Sequence, residues 1–455
     1  MYWASFLHIY QPPTQKELWV RRITDESYRK IIHGLEANPR ARMTLNINGI
    51  LCELLDKYGG KDVLQGIKNL LKKGQIEITG SAKYHAFLPL IPESEIERQI
   101  KLNEATLDHY FGDLWRTPTR KGFFPPEMAY NKKIATVASR MGYQWIIVDE
   151  LAFPGERKHP EHEKTYIIQG LNDFGVFFRE RNLSFTILSS EGAGASPTIL
   201  RYLGDRASGS GYALTAMDGE TFGHHRPGLE VLLFDLLREQ AIEPVTISEL
   251  KEKIRAREIV EPRNSTWAAT PQDIKQDTPY ARWRRDGNEI QAMQWELTEI
   301  AIAVVERSNN ERPRKKLDEA LHSDQYWWAS ARPWWSLEMI ERGAHELKNV
   351  ILEAKDATAK EKSRAEELYK HILFTGFDWQ RSGKVDEIAR QEDEEVAERR
   401  EMKEKLFITK AEYKQMIVTL EGQMHLAAKT EEYHRAAMIK DRIRELKEEL
   451  EKAAE

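Results

Sequence analysis

Short apolar runs alternate with amphipathic stretches throughout residues 1–248, and this order constrains the possible folds more than any other feature of the chain. The stretches between the runs repeat their apolar residues at helical spacing, as in 93–111, 131–141 and 228–240. We predict strands at 2–9, 43–48, 75–79, 120–124, 144–149, 212–217 and 244–247. Because repeated strand-then-helix order favours a parallel sheet, we predict an α/β barrel of about seven or eight strands.

The second half of the chain has a different pattern. Strand signals fade, and long helical patterns such as 289–307 and 337–354 replace them. A run of acidic and basic residues then precedes two sets of apolar residues at helical spacing. We predict four parts: a barrel domain at 1–270, a helical domain at 271–382 that completes the site, a charged helical linker at 383–409 and a helical hairpin at 410–455.

Composition excludes several classes of protein. A hydrophobic fraction of 41% with 12 Trp among 455 residues supplies a sizeable core. The net charge of −5 and the mixing of Lys and Arg with Asp and Glu argue against nucleic acid as a partner. The single cysteine, Cys52, excludes an intramolecular disulfide, and no run reaches the roughly 18 apolar residues of a membrane helix. We therefore expect a cytoplasmic protein without a membrane partner.

Two predicted strands lead into side chains that can hydrogen-bond a hydroxyl-rich ligand. The end of the first strand carries His8, Tyr10 and Gln11, and the loop after the third strand carries His85. In a parallel barrel, such residues meet at the rim formed by the carboxyl ends of the strands. Taken singly, each segment is equally compatible with a structural role, as a core histidine or as a loop packed on the next helix.

Two other predicted strands end in carboxylates. Glu127 follows strand 120–124 after two prolines, and Asp218 and Glu220 follow strand 212–217 around a glycine. A structural role is again possible, as a first-turn residue stabilised by a helix dipole or as an acidic turn. Cleavage of a glycosidic bond, however, needs one carboxylate at the anomeric carbon and one carboxylic acid at the departing oxygen. Their environments must therefore separate the two pKa values.

An aromatic segment at 322–330 lies in the helical half of the chain. It contains Asp324, Trp327 and Trp328. Clustered aromatic residues are often core residues, but sugar rings also stack on aromatic faces. The segment is therefore either core or a substrate platform.

Taken in order, segments 6–12, 74–90, 122–131, 214–225 and 322–330 resemble the five sequence regions of glycoside hydrolase family 57, with a further similar segment at 176–184. The resemblance implies an incomplete (β/α)7 barrel with a helical C-terminal part, active on α-glucans or maltooligosaccharides with retention of configuration and without a metal or other cofactor. It implies that Glu127 is the nucleophile and Asp218 the general acid/base. It also implies substrate contacts from His8, Gln11 and His85 on the donor side, from Asp324 and Trp327 on the acceptor side, and from Arg179, Glu220, Trp267 and Trp328.

Two points depart from a simple transfer of the family pattern. The second His of the usual first region is replaced by Tyr10, which can hydrogen-bond a hydroxyl but carries no charge at neutral pH. Asp218 and Glu220 also compete for one role, because residues two apart on an extended chain project to the same side. The family pattern favours Asp218.

The segment 410–450 resembles the UVR-type helical hairpin of excision-repair and protease-adaptor proteins, in which it docks to other proteins. This resemblance implies a docking or self-association role. An alternative is a hairpin that covers the barrel or pairs two chains.

Three rival functions remain open at this stage. Transglycosylation and hydrolysis share the covalent intermediate, so the two carboxylates cannot separate them. A metal-dependent carbohydrate deacetylase would need spaced ligands, whereas His224 and His225 are adjacent. A catalytically silent glucan-binding or scaffold protein would not need the Glu127 and Asp218 pair. The sequence decides neither the α-1,4 or α-1,6 linkage, nor the physiological substrate, nor the oligomeric state.

Overall fold

The computed structural model describes residues 1–116, 121–155, 159–190, 194–308, 310–332, 334–390, 408–430 and 432–452. The strands are β1 (Tyr2–Ile9), β2 (Met43–Ile47), β3 (Ile76–Ile78), β4 (Gly122–Phe123), β5 (Trp145–Asp149), β6 (Thr165–Ile168), β7 (Gly175–Arg179), β8 (Tyr212–Asp218), β9 (Glu243–Val245) and β10 (Arg257–Val260).

Seven of these strands surround one interior. β8, β1, β2 and β3 pair in parallel in that order, and β7, β5 and β4 pair in parallel in a second sheet. Isolated hydrogen bonds join the sheets: Gly80 N–H donates to the Gly122 carbonyl at 2.9 Å, and Glu180 N–H donates to the Leu214 carbonyl at 2.7 Å. Because the barrel has seven strands and not the eight of a complete (β/α)8 barrel, it is an incomplete (β/α)7 barrel, as predicted. β9 pairs with the start of β1, and β6 extends the second sheet antiparallel to β7 and carries β10.

Strand alternation aims polar side chains at one end of the barrel. On β1, Ala4 and Phe6 face the interior, so His8 is the next inward position. Arg179 on β7 and Asp218 on β8 likewise follow inward apolar residues. The interior is closed by an apolar cluster that includes Phe6, Phe124, Trp145, Ile147, Phe177, Leu214 and Ala216. The cluster fills the barrel and leaves the polar residues at its carboxyl rim.

Helices cover the outside of the barrel and form the second half of the chain. They are α1 (Glu17–Ile23), α2 (Arg29–Glu36), α3 (Gly49–Lys57), α4 (Lys61–Lys72), α5 (Glu93–Phe111), α6 (Lys132–Arg140), α7 (Arg181–Ser189), α8 (Ser196–Leu203), α9 (Leu229–Arg238), α10 (Ile247–Lys253), α11 (Pro271–Lys275), α12 (Glu289–Arg307), α13 (Glu311–Ala320), α14 (Asp324–Trp327), α15 (Leu337–Glu353), α16 (Ala359–Ser382), α17 (Lys384–Arg390), α18 (Lys410–Lys429) and α19 (Tyr433–Lys452). α12 packs against α15 and α16, and their apolar faces join one core with β4–β7 and α6.

The C-terminal hairpin of α18 and α19 covers the barrel. Met416 and Leu420 of α18, with Ile439 and Leu446 of α19, are buried in the same apolar cluster as Leu233 of α9. The two sets of apolar residues at helical spacing in the sequence, Leu420, Met424, Ala427 and Ala428, and Ile439, Ile443, Leu446 and Leu450, predict two buried stripes, and five of these eight residues are buried. Ala428 is an exception, because it lies on the exposed side of α18.

Most predicted elements agree with the structure. Strand 2–9 and helices 93–111 and 289–307 coincide with β1, α5 and α12. The predicted strand 244–247 is wrong at its end, because Thr246 caps a new helix there through a capping box with Glu249. β6, β7 and β10 were not predicted as strands. β7 is buried along its whole length, so it lacks the alternation that marks a half-exposed strand. Residue 120 of predicted strand 120–124 and most of the predicted linker 383–409 lie outside the described residues.

Candidate active site

The parallel register of β1 and β8 brings two of the predicted site residues together. His8 lies directly opposite Asp218 in the pairing of these strands, and both occupy inward positions at the carboxyl rim. His85, from the loop after β3, reaches the same place, with its Nε2 3.1 Å from Nε2 of His8. Tyr10 stacks on the His85 ring with 4.1 Å between ring centroids. Residues from three separate segments therefore form one surface.

Burial decides the charge of the two histidines, and a chain of hydrogen bonds decides which ring nitrogen carries the proton. Burial lowers the pKa of His85 to about 4 and lowers that of His8 well below its usual value, so both imidazoles are neutral at pH 7. Asn46 donates its amide to Thr79 and accepts from Nδ1 of His8 at 2.7 Å. Nε2 of His8 must then accept from Nε2–H of His85, and Nδ1 of His85 accepts from the Ser323 hydroxyl at 2.9 Å.

Glu127 sits in a turn that no ordinary helix would provide. It lies in the short 3₁₀ turn Pro126–Met128 with φ 63°, in the left-handed region, and Met128 follows with φ 46°. The interpretation of Glu127 as a first-turn residue of an α-helix is therefore wrong. Left-handed backbone at a non-glycine residue is costly and persists where surrounding contacts enforce it.

Trp267 supplies those contacts to Glu127. Its indole N–H donates to Glu127 Oε2 at 2.8 Å, and its backbone N–H donates to the Glu127 carbonyl at 3.1 Å. Burial raises the pKa of Glu127 to about 8; the Trp267 hydrogen bond lowers it, and the nearby charges of Asp218 and Asp324 raise it. Glu127 Oε1 lies 3.7 Å from Nδ1 of His85. A ligand at this rim would meet both side chains.

Asp218 and Glu220 have different surroundings. Asp218 is exposed at the end of β8, whereas Glu220 is 7% exposed in the following turn, Gly219–Thr221. The chain is a 3₁₀ turn here, so the expectation that both carboxylates project to the same side from an extended chain is wrong. Glu220 accepts hydrogen bonds from the Tyr28 hydroxyl, the Gln11 amide and the Tyr10 backbone N–H. Its burial raises its pKa to about 7.

Asp324 belongs to a buried charged chain that starts at Tyr10. The Tyr10 hydroxyl donates to Asp324 Oδ2 at 2.7 Å, and His322 Nδ1 lies 3.0 Å from the same oxygen. His322 Nε2 lies 3.4 Å from Glu346. Burial alone would lower the pKa of His322, but the two carboxylates raise it to about 9. His322 is therefore a cation at pH 7 and, against the effect of burial, its hydrogen bond lowers the pKa of Asp324.

The remaining predicted residues, Arg179, Trp327 and Trp328, contact other side chains. Arg179 lies 3.4 Å from Asp149, and its guanidinium is 5.7 Å from the Trp267 ring centroid, so it supports the residue that holds Glu127. Trp327 packs on Trp283 with 5.2 Å between ring centroids. Trp328 lies edge-on to Trp334, and both are partly exposed. The structure therefore supports core packing for Trp327 and leaves part of Trp328 accessible.

Sequence reasoning missed four residues that hold the site. Asn46 orients His8, Tyr28 binds Glu220, Asp149 faces Arg179, and His322 binds Asp324. Alternation along β2 and β5 places Asn46 and Asp149 at inward positions, which is a signal that sequence could have provided. Tyr28 carries no such signal, because it lies 192 residues from Glu220.

Across the residues that the structure describes, no group of three or more His, Cys, Asp or Glu side chains is arranged to hold a metal ion. Within the same residues, no helix has the length and apolarity needed to cross a bilayer.

An incomplete parallel barrel with carboxylates at the carboxyl ends of two strands defines the class of the molecule: it has the architecture of barrel-fold carbohydrate-active proteins. Comparison with known families is specific. The model for glycosyl hydrolase family 57 matches residues 4–263, and the UvrB/uvrC motif matches residues 414–455. The chain belongs to glycoside hydrolase family 57 and carries a UVR motif at its C-terminal end.

Similar proteins include several α-glucan enzymes. An α-amylase of Pyrococcus horikoshii is 25% identical over 234 residues, which is 50% of this chain and 35% of that protein. A 4-α-glucanotransferase of Thermococcus litoralis is 24% identical over 147 residues, which is 32% of this chain and 21% of that protein. The chain therefore spans about a third or less of the length of these relatives.

Solved structures share the fold. The GH57-type branching enzyme of Pyrococcus horikoshii superposes with a TM-score of 0.61 at 16% identity, covering 83% of this chain and 96% of that one. The 4-α-glucanotransferase of Thermococcus litoralis gives 0.59 at 18% identity, covering 77% of this chain and 58% of that one.

Proposed function

We propose that this protein is a retaining α-glucan hydrolase or transglycosylase, with Glu127 as the nucleophile and Asp218 as the general acid/base. The observation that carries the proposal is the placement of Glu127. A strained turn holds its carboxylate against Trp267 and His85, at the rim where Asp218 ends β8. Family membership favours glycosidic chemistry over the deacetylase alternative.

The two carboxylates would act in different steps of a retaining mechanism, which needs Glu127 ionised although burial raises its pKa to about 8. In the first step, the Glu127 carboxylate attacks the anomeric carbon, and Asp218 protonates the departing glycosidic oxygen. In the second step, Asp218 takes a proton from water or from a sugar hydroxyl, which attacks the anomeric carbon and releases Glu127. An exposed Asp218 is open to both the leaving sugar and the incoming acceptor.

The surrounding residues would bind the sugars. Neutral His8 and His85 would line the donor side without competing for the proton of Asp218, while Asn46, Ser323 and their mutual hydrogen bond hold their ring nitrogens. Gln11 and Glu220 brace this wall, and Tyr10 with Asp324 would contact hydroxyls toward the acceptor side. The replacement of a His by Tyr10 alters hydrogen bonding here, so it bears on substrate preference more than on reaction type.

The first test is incubation of the wild type and Glu127→Gln with maltoheptaose. We expect products of retained α configuration from the wild type alone, measured by proton NMR and chromatography. Products longer than maltoheptaose would identify a transglycosylase, and shorter ones alone a hydrolase. Glu258→Gln, at an exposed ion pair with Lys164, is the matched control and should keep full activity. Absence of products from the wild type would favour the catalytically silent glucan-binding or scaffold alternative.

A second test locates the covalent bond. An α-maltosyl fluoride needs little acid assistance to leave, so Asp218→Asn should still form the glycosyl-enzyme but resolve it slowly. Mass spectrometry should then find one maltosyl group on the peptide that contains Glu127. A maltosyl group on another residue would contradict the assignment of the nucleophile.

The location and partners of the protein are narrower proposals. We keep the prediction of a cytoplasmic protein, and of a docking or self-association role for the hairpin, whose exposed side carries Val418, Leu426 and Tyr433. Deletion of the residues after 402 should change the oligomeric state in solution or abolish the recovery of a partner protein. If neither changes, the docking role fails.

A further inference from the structure

The C-terminal hairpin contacts both segments that hold the Asp218 turn. The first of these segments is the loop 219–228, which runs from the turn to α9. The second is the stretch Thr24–Tyr28 together with α2, the helix into which it continues. Sequence analysis left this hairpin without a role in catalysis.

The first contact is a buried ion pair at the start of α9. The Arg435 guanidinium of α19 binds Glu230 Oε1, and their side chains are 11% and 5% exposed. The other oxygen of Glu230 accepts from the Gly228 backbone N–H at 2.8 Å. One carboxylate thus ties α19 to the last residue of the loop. A buried carboxylate left without its cation is strongly destabilising to the segment that carries it.

The hairpin also packs directly on Gly228. This residue has φ 96°, and a Cβ built on it would lie 2.9 Å from atoms of Leu420 and Gln423 in α18. The backbone conformation therefore favours glycine, and a side chain here would displace the ends of the Leu420 and Gln423 side chains. The loop end is fitted to the hairpin surface.

The second contact reaches the other segment. Glu432, just before α19, lies 3.1 Å from Lys30 of α2. The segment preceding α2 holds the catalytic turn: the Ser27 hydroxyl donates to the Gly219 carbonyl at 2.8 Å, and Tyr28 donates to Glu220. The beginning of α19 therefore bridges the two segments between which the turn lies.

We propose that Arg435 is a positioning residue for Asp218: through Glu230 it fixes the loop 219–228, so that the C-terminal hairpin is part of the catalytic unit. Its kinetic consequence rests on the proposed function. Its structural consequence, order in the loop, does not.

The test compares Arg435→Met with two matched variants of the full chain. Arg435→Lys keeps the charge, and Arg444→Met removes an exposed arginine of the same helix, which pairs with Asp441 at 3.2 Å within that helix. Hydrogen exchange is followed for the amides of 219–230, with α5 as the internal reference. For Arg435→Met we expect exchange in 219–230 to rise about tenfold, corresponding to about 1.4 kcal/mol of local stability, with α5 unchanged. The exchange rate of Arg435→Lys in 219–230 should lie between those of the wild type and Arg435→Met, and that of Arg444→Met should match the wild type.

Kinetics on maltoheptaose supply the second readout. We expect Arg435→Met to lower kcat about tenfold, because the loop begins at the residue after Asp218. KM should change less than about twofold, because His8, Gln11 and His85 lie outside the loop. If Arg435→Met does not fold, Glu230→Gln, which removes the ion pair with little change of shape, takes its place. Unchanged exchange in 219–230 would overturn the proposal. A wild type inactive on α-glucans would instead overturn the proposed function, and the exchange comparison would still decide the role of Arg435.

Discussion

At the scale of single residues, the site depends on which groups are neutral. Burial makes His8 and His85 neutral and holds the pKa of Glu127 near 8, while two carboxylates keep His322 protonated. The protonated His322 thus lies beside Asp324, whereas the neutral His8 and His85 lie beside the proposed nucleophile, Glu127. This separation determines how activity and stability should depend on pH.

The ionisation of Glu127 should control the acid side of the activity profile. A nucleophile acts as the carboxylate, and the pKa of Glu127 is raised to about 8. We therefore expect kcat/KM on α-maltosyl fluoride, whose departure needs little acid assistance from Asp218, to rise with pH up to about 8, tenfold per unit at lower pH. The measurement is kcat/KM from pH 5 to 9 at constant ionic strength. A profile already flat from pH 5 would contradict the raised pKa.

Asp218 and Glu220 should differ in kind when each is neutralised. Asp218→Asn removes the exposed acid/base, and we expect a loss of turnover of at least about 10³-fold. Glu220→Gln keeps the size of a side chain that braces Gln11 and Tyr28, and we expect a loss of about tenfold. Initial rates on maltoheptaose separate the two. Equal losses in both variants would show that the acid/base assignment is unsafe.

Replacement of His322 should cost stability in a pH-dependent way. His322→Gln leaves Asp324 and Glu346 without their buried cation, and we expect a loss of about 3 kcal/mol. Because the pKa of His322 is raised from 6.5 to about 9, its contribution is complete below pH 6.5 and is lost as pH rises through 9. Urea unfolding of the wild type and the variant should show that their difference in free energy of unfolding is smaller at pH 9.5 than at pH 6. An equal difference at both pH values would argue against a charged His322.

At the scale of elements, strand alternation positions some of the site residues, and a turn positions Glu127. Alternation brings His8, Arg179 and Asp218 to one rim. The turn Pro126–Met128 then aims Glu127 in a direction that neither a strand nor a helix would give. Because Trp267 bonds both the side chain and the backbone of Glu127, this turn depends on a segment 140 residues away.

Trp267→Phe should therefore change the pH profile and not only the rate. The substitution keeps an aromatic ring but removes the indole N–H that lowers the pKa of Glu127. We expect the acid limb of kcat/KM on α-maltosyl fluoride to move to higher pH, with about a tenfold loss at pH 7. Trp334→Phe, at a 49% exposed position, is the control and should leave the limb in place. A uniform loss at every pH would point to packing rather than to the hydrogen bond.

At the scale of the whole molecule, the hairpin completes the barrel surface. α18 and α19 share the apolar cluster of α9, so the UVR-type segment does not stand apart as a separate module. A helical face that is buried against the barrel is unavailable for docking. Any partner of the hairpin must therefore bind its exposed side or displace it.

The contribution of the hairpin to stability can be measured at Leu420. Leu420→Ala creates a cavity between α18 and α9, and we expect a loss of 2–4 kcal/mol. Val418→Ala, on the exposed side of the same helix, should change stability by less than about 0.5 kcal/mol. Urea unfolding of the full chain, followed by tryptophan fluorescence, compares them. Equal stability of the two variants would mean that the hairpin does not pack on the barrel in solution.

The alternation of strands and helices in the first half, the five motifs and the helical character of the second half could be predicted from the sequence alone, because periodicity and motif order are local properties. The barrel strand β7 was missed, because it is buried along its whole length. The identity of both proposed catalytic carboxylates also came from motif order, but it stays a prediction until the variants are measured. The strands β6 and β10 were not predicted, because a short strand at the edge of a sheet has little sequence pattern. The strained turn of Glu127, the neutral histidines and the grip of Arg435 on Glu230 were decided by tertiary structure. They depend on burial and on contacts between residues far apart in the chain, which no local pattern contains.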